Sequence, residues 1–485
     1  MLIDLNQYPS SGSTSGYDAC IVGAGVAGIT LAIKLGKAGK KVALLEAGGL
    51  EFTEQSQDVY AGKSTDIEYS QNLQACRLRF FGGTSNHWGG TSIPYSEVDF
   101  VERDFFGLPG WPIPKSELDK YLEESKDTLD INGFTPLEIP DWDSELFNPL
   151  ASATSPTRFG QKYQKELEES KNIDLFINAN LTDIQLSNDM EDVIGLTVKN
   201  YNNNSFLFSG KTNILSMGGI ENPRLLLNSD SQAKNGIGNN SDFVGRCFME
   251  HYLIDFGYFV GNKSYWEVGK ATSIVSTTKF SLENKIGSSN IDFWMSESPH
   301  AGYGRKNEIK RFFRDNICRS DALAEFSRKF VDFPCPGNGS VSANIEQSPN
   351  KDSRITLNND KDSFDLRRVD ISWTMSDLDK RTIRASAMGA AKEFARLDYG
   401  RVKLADYLLD EDMDIPVIAH CHHIGTTRMS ATSEFGVVDK NCKVFGINNL
   451  FVAGSSVFST GGHNNPTFPI VQMSLRLADH LASKL

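Results

Sequence analysis

Residues 19 to 22 form a short apolar run that follows a polar leader and feeds directly into Gly23-Ala24-Gly25-Val26-Ala27-Gly28. An unbroken apolar run bounded by glycine reads as a buried strand. Residues 29 to 40 carry helical spacing, with Ala32, Leu35 and Gly39 continuing the small and apolar positions, and residues 41 to 45 read as a second buried strand. One strand–helix–strand unit is therefore predicted over residues 17 to 46. Residues 50 to 80 are polar and irregular and read as a loop or lid. Residues 115 to 129 put Leu118, Tyr121, Leu122 and Leu129 on one face of an amphipathic helix. Apolar runs between 176 and 217 are separated by Asn-rich turns, with a hairpin tip at Asn202 to Asn204, and end in a buried strand at residues 213 to 216. Residues 252 to 260, 290 to 295, 341 to 345 and 369 to 373 read as strands of one antiparallel sheet. Ser376 opens a long helix in which Asp379 completes a capping box, and the last helix runs from Pro469 to about residue 484.

This order predicts an α/β, Rossmann-like dinucleotide-binding domain made of residues 15–110, 175–250 and 415–485. Residues 111–174 and 251–414 form, in the main, an inserted α+β substrate domain on an antiparallel sheet. A chain of 485 residues exceeds one simple core, which agrees with two interleaved domains. Hydrophobic residues at 39% and charged residues at 23% describe a folded globular protein, and a net charge of −13 disfavours nucleic acid or an anionic membrane surface as partner. Seven cysteines (20, 76, 247, 318, 335, 421 and 442) contain no C-x-x-C pair and read as reduced thiols. No secretory signal is visible, and the uncharged run 19–33 is too short and too glycine-rich to span a bilayer. The expectation is a cytoplasmic protein without an integral membrane segment.

Three groups of residues carry chemistry. In the first, Gly23 permits a tight turn, Gly25 lets the backbone approach a pyrophosphate, and Gly28 allows close helix–strand packing. The helix N-terminus offers unpaired N–H groups to phosphates, and Glu46, ending the second strand, can accept from ribose hydroxyls. By itself this unit does not separate NAD from FAD. The second group, residues 80 to 90, holds four glycines in eleven positions, so its backbone must pass close to something. The third is C-terminal: His420-Cys421-His422-His423-Ile424-Gly425-Thr426, a strand and small-residue turn at residues 449 to 456, and Gly461 to Thr467. A metal site on the three histidines lacks an accompanying carboxylate or cysteine cluster at ligand spacing, so no metal is assigned. Alternation along an extended segment puts His420 and His422 on one side and His423, in a packing role, on the other. His463 stands two residues before Asn465, within reach of the same site.

These pieces resemble the glucose–methanol–choline oxidoreductases over essentially the whole chain. The resemblance rests on the N-terminal unit, the Gly82–Gly90 loop, Gly110-Trp111-Pro112, residues 214 to 223, Val244-Gly245-Arg246 with His251, H-x-x-G-T from His422 and N-P-T from Asn465. It implies FAD as cofactor, and oxidation of a CH–OH group of a sugar, polyol or other alcohol. His422 matches the active-site histidine that takes the hydroxyl proton, and Asn465 the second polar residue that positions the hydroxyl. Gly82, Gly83, Thr84, Asn86 and His87 fall beside the isoalloxazine ring, while Leu181, Gly454, Ser455, Asn465, Pro466 and Thr467 complete the cofactor positions. His87 stands where some members bond the flavin covalently through histidine and others do not. Dioxygen, a quinone or a redox protein would accept the electrons. The alternative is a flavin-scaffolded, non-redox lyase of the same fold, against which His422 and Asn465 together favour redox chemistry. Trp266, Trp294 and Trp373 either stack on a sugar or fill a core, with core preferred for most of them.

Overall fold

The computed structural model describes the chain except residues 9–10, 68–71, 140, 263–270, 297–315, 317–319, 321–322 and 324–335. Trp266, Cys318 and Cys335 lie outside the described residues. The predicted first strand is the end of a longer one, Gly12–Val22, which pairs in parallel with Val42–Leu45 on one side and Ser205–Leu215 on the other. Leu450–Val452 joins the C-terminal half of Ser205–Leu215, also in parallel. Ile173–Ile177 and Leu2–Asp4 extend the parallel edge, and Val193–Lys199 with Asn180–Leu186 add an antiparallel hairpin, giving eight strands. Residues 19 to 22 are at most 3% exposed, as a strand covered on both faces requires. The helices Val26–Lys37 and Thr467–Ala482 pack against each other. Four parallel strands thus end at one edge, delivering Gly23, Glu46, Ser216 and Gly454 to the same place, where open α/β sheets hold their ligands.

A second, seven-stranded sheet is antiparallel throughout: Gly400–Leu404, His251–Asn262, Pro336–Glu346, Ser289–Ser296, Ala271–Ser276 and Phe147–Pro149, with Ile418–Ala419 also on His251–Asn262. It has its own apolar core, in which Phe259, Phe293 and Phe394 meet, and the Asp377–Arg396 helix begins with the expected Ser376/Asp379 capping box. Trp373 is fully buried and stacks on Tyr252, whereas Trp294 is 46% exposed because it alternates with the inward Phe293 and Met295.

Three local expectations change. Arg367–Trp373 is a strand, but it belongs to a separate three-stranded sheet with Arg354–Lys361 and Gly62–Asp66. The stretch read as loop therefore contains a strand, together with the short helix Glu54–Asp58. The helix expected over 115 to 129 breaks at Tyr121, with φ −104° and ψ 11°, into Ser116–Asp119 and Leu122–Thr128, and both pieces pack on Thr467–Ala482. All five described cysteines are free thiols, and no helix among the described residues is long and apolar enough to cross a membrane.

Candidate active site

One cavity of about 710 Å³ opens at the carboxyl ends of the parallel strands. Its first part is built from main chain. Gly23 turns the chain out of its strand at φ +99°, and the first N–H groups of Val26–Lys37 have no partner within the helix. Gly28 does not reach the cavity: a Cβ there would stand 1.9 Å from the Gly23 oxygen and 2.7 Å from the Ser216 hydroxyl, so its role is helix–strand contact. Gly25 does reach it, and a Cβ there would meet no protein atom within 4 Å. Glu46 lines the same part, its carboxylate accepting from the backbone N–H groups of Ala24 and Gly48, each at 2.9 Å. Burial raises its pKa against those two bonds. Leu181 stands nearby on the wall.

The Gly-rich loop folds over this turn. The Gly82 N–H donates to the Ala24 oxygen at 2.9 Å, and a Cβ on Gly83 would come within 3.3 Å of the Gly25 Cα. Arg158 fixes the loop from behind by donating to the Ser85 and Trp88 oxygens, both at 2.8 Å. Gly83, Thr84 and His87 line the cavity. Gly82 and Asn86 do not: Gly82 makes the left-handed turn at φ +88°, and the Asn86 amide is used in donating to the Phe81 oxygen.

The far part is built from side chains on distant segments. The strip 420–427 is held between residues 247–250 and 455–457: Ile424 and Met249 exchange backbone bonds at 3.0 Å, Gly425 N–H donates to Ser455 O, and His422 N–H donates to the Glu250 carboxylate at 2.9 Å. His420 and His422 share one side, with ring centroids 5.2 Å apart, and both line the cavity. His423, expected to pack on the other side, lines the cavity too; its ring stacks on Phe248 and lies 3.6 Å from the Glu250 carboxylate and 3.7 Å from the Cys76 sulfur. The hydrogen bond from Cys421 and, against burial, the neighbouring His423 lower the pKa of that thiol. His422 Nδ1 lies 2.8 Å from His251 Nδ1, and His251 Nε2 lies 2.8 Å from the Gly462 oxygen. Burial first, then the neighbouring His251, His420 and His423, hold the His422 pKa well below the usual imidazole range. Asn465, Pro466 and Thr467 line the wall at the N-terminus of Thr467–Ala482, and the Asn465 amide N–H donates to the Thr91 oxygen at 3.0 Å. Its oxygen and second N–H are not used by that bond. Gly454 and Ser455 line it too, Gly454 at φ +101°. His463 does not line it; the ring is buried near Glu346, with its pKa lowered to about 4 by burial.

Residues 349–474 match the family described as GMC oxidoreductase. Across nearly its full length the chain is 20% identical to the fructose dehydrogenase large subunit of Gluconobacter japonicus, covering 98% of this chain and 99% of the other. It is 23% identical to the 2-methyl-1,2-propanediol dehydrogenase of Mycolicibacterium austroafricanum, covering 96% and 95%. The likeness to the GMC oxidoreductases thus combines a direct match over residues 349–474 with distant relatives that span nearly the whole chain. A solved structure of formate oxidase from Aspergillus oryzae RIB40, concerned with modification of its FAD, shares the fold at a TM-score of 0.55 and 17% identity over 98% of both chains. These matches support an FAD-dependent oxidoreductase, and the residues of the cavity fit that group. At Gly25, Gly218 and Gly454 a Cβ would project into open space, and all three line the cavity; the first two sit at the N-termini of helices, as phosphate recognition requires.

Several wall residues were not singled out from sequence as site residues. Met217, Gly218 and Gly219 open the Gly218–Asn228 helix onto the cavity, and Arg77 and Glu221 pair at 2.8 Å on the same wall. The glycine pair after a buried strand repeats the signal of the first turn and was available for use. Cys76 and Arg77 carried none, because their partners are remote in sequence, and His251 entered only as part of the resemblance, with no role read for it.

Proposed function

We propose that this chain oxidises a CH–OH group of a sugar, polyol or other small alcohol, with His422 as the base. Supporting this, a neutral imidazole and an amide line the same cavity as the Gly23–Gly25 turn. Bound FAD supplies the acceptor for the hydride. Gly23, Gly25, Glu46, Gly83, Thr84, Leu181, Gly454, Ser455, Pro466 and Thr467 would hold it. His422 takes the hydroxyl proton at Nε2, the nitrogen not engaged with His251. Asn465, anchored through Thr91, donates its remaining N–H to the substrate oxygen as charge develops there. The sheet of His251–Asn262 and its neighbours forms the substrate side, and the parallel-sheet unit the cofactor side. Relatives named for fructose and a propanediol support a hydroxylated substrate. His87, exposed on the cavity wall, is the candidate for a covalent link; acid precipitation that leaves all the yellow in the supernatant rules it out.

Anaerobic mixing with a panel of sugars, polyols and simple alcohols should bleach the bound flavin with at least one of them. A protein that keeps its flavin and is bleached by none overturns the proposal. Comparing turnover with dioxygen and with a quinone or dye then assigns the acceptor.

A further inference from the structure

A neutral imidazole carries one hydrogen and one lone pair, and only the nitrogen with the lone pair can take a proton. We infer that His251 sets the tautomer of His422, placing the ring hydrogen on Nδ1 and leaving Nε2 bare toward the cavity. The assignment starts from an oxygen that cannot donate. The Gly462 carbonyl lies 2.8 Å from His251 Nε2, with the Gly461 carbonyl at 3.4 Å, so Nε2 must carry hydrogen. A neutral His251 then has no hydrogen on Nδ1 and can only accept there. The atom 2.8 Å away is His422 Nδ1, which therefore donates. The opposite arrangement requires a doubly protonated His251 inside the protein. That ring is 0% exposed, and burial, reinforced by His420, lowers its pKa to about 4.

The groups facing the pair come from several elements. His420 and His423 flank His422 in its own strip, Glu250 accepts from the His422 backbone, and His463 lies on the Gly462 side. Glu346 accepts from the Gly462 N–H at 3.1 Å and is itself held by Arg103, so the carbonyl that starts the chain of bonds is fixed in place. When His422 takes a proton at Nε2, its Nδ1–H bond to His251 is undisturbed, and no ring has to flip. His251 is thus a positioning residue: its ring is separated from the reacting oxygen by His422.

The inference rests on reading His422 as the base, but its first test needs no turnover. Holoenzyme labelled with ¹⁵N-histidine is examined at pH 7 by long-range ¹⁵N–¹H correlation, with His422→Gln and His251→Asn assigning the signals. The expected spectrum has His422 protonated at Nδ1 and bare at Nε2, and His251 the reverse. A His422 hydrogen on Nε2, or a doubly protonated His251, overturns the inference. In turnover, His251→Leu should lower kcat on the order of 10²-fold with KM little changed. His251→Asn, whose Oδ1 can accept from Nδ1–H, should recover most of that loss. Equal losses in both variants, or a loss confined to KM, would reduce His251 to packing. If the Leu variant does not fold, the wild-type spectrum and the Asn variant decide. The expected tautomers in a protein that no alcohol bleaches would sink the oxidation reading and leave the inference standing; the wrong tautomers in an active enzyme would do the reverse.

Discussion

At one end of the cavity the wall is main chain: the Gly23 turn, the first turn of Val26–Lys37 and the Gly83–Thr84 loop. At the other end it is side chain: His420, His422 and Asn465, the last two steadied by His251 and Thr91 from distant segments. Backbone cradles tolerate changes of side-chain chemistry but not of volume, because what they present is N–H groups and empty space. A side-chain constellation behaves in the opposite way, since deleting one imidazole leaves the walls standing and removes the chemistry. The two ends should therefore fail differently when broken.

The largest effect belongs to the side-chain end. His422→Ala should cost between about 10²- and 10⁴-fold in kcat, the range expected of a general base, while flavin content stays near wild type. Turnover and flavin absorbance on one preparation check both halves. A loss of less than tenfold would remove His422 from the base role.

The support beneath that end comes next. Arg103 makes a bidentate pair with Glu346 at 2.7 and 2.9 Å, and both side chains are at most 1% exposed. Arg103→Leu strands a buried carboxylate that also accepts from Ser288 and Gly462, and should destabilise the fold by about 3–5 kcal/mol. Denaturant melts would read the loss, and a change below about 1 kcal/mol would mean the pair is solvated.

At the main-chain end, two glycines one helical turn apart should separate folding from binding. Gly28→Ala meets the Gly23 oxygen and the Ser216 hydroxyl, and should cost about 1–3 kcal/mol of stability. Gly25→Ala meets no protein atom and should melt like the wild type when flavin-free, yet lose flavin on gel filtration. Equal flavin retention in Gly25→Ala and wild type would mean that the phosphates do not lie over this turn.

The same contrast explains what was readable in the sequence. Gly23, Gly25, Gly28 and Glu46 lie within one strand–helix–strand unit, where spacing along the chain is spacing in the structure. Alternation put His420 and His422 together and their rings do meet, but Cys421 between them turns at φ +61° and His423, expected on the other side, lines the same cavity. The partner of His422 could not be read, because His251 lies 171 residues away and nothing in its neighbourhood marks the contact. Gly62–Asp66 was invisible for a related reason: Gly-Lys-Ser-Thr-Asp has no apolar alternation and becomes a strand only by pairing with Arg367–Trp373. Periodicity identified the latter as a strand but could not say which sheet it joins.

The smallest effect concerns protons, and here the two ends should carry opposite signs. His251 and His463 are lowered by burial to about 4, and His420 and His422 are lowered as well. Between pH ~6.5 and ~4 the unfolded chain therefore binds protons that these buried rings refuse, and stability falls with pH at up to about 1.4 kcal/mol per pH unit for each ring. Glu46 works the other way: its raised pKa means that the folded state takes up its proton before the unfolded chain does, so acid favours the fold there. Asp99, raised by burial and then by Glu346, adds to the Glu46 side. The buried rings pull stability down as acid is added, while Glu46, Asp99, Asp183, Asp292 and Asp379, all raised by burial, pull the other way, so the rings' share of any decline is read from a single-ring variant. His463→Gln, which touches neither the cavity wall nor the His251–His422 bond, should flatten that decline by one ring's share. A His463→Gln variant that loses stability in parallel with the wild type down to pH 4.5 would mean that the buried His463 ring already carries its proton in the folded state.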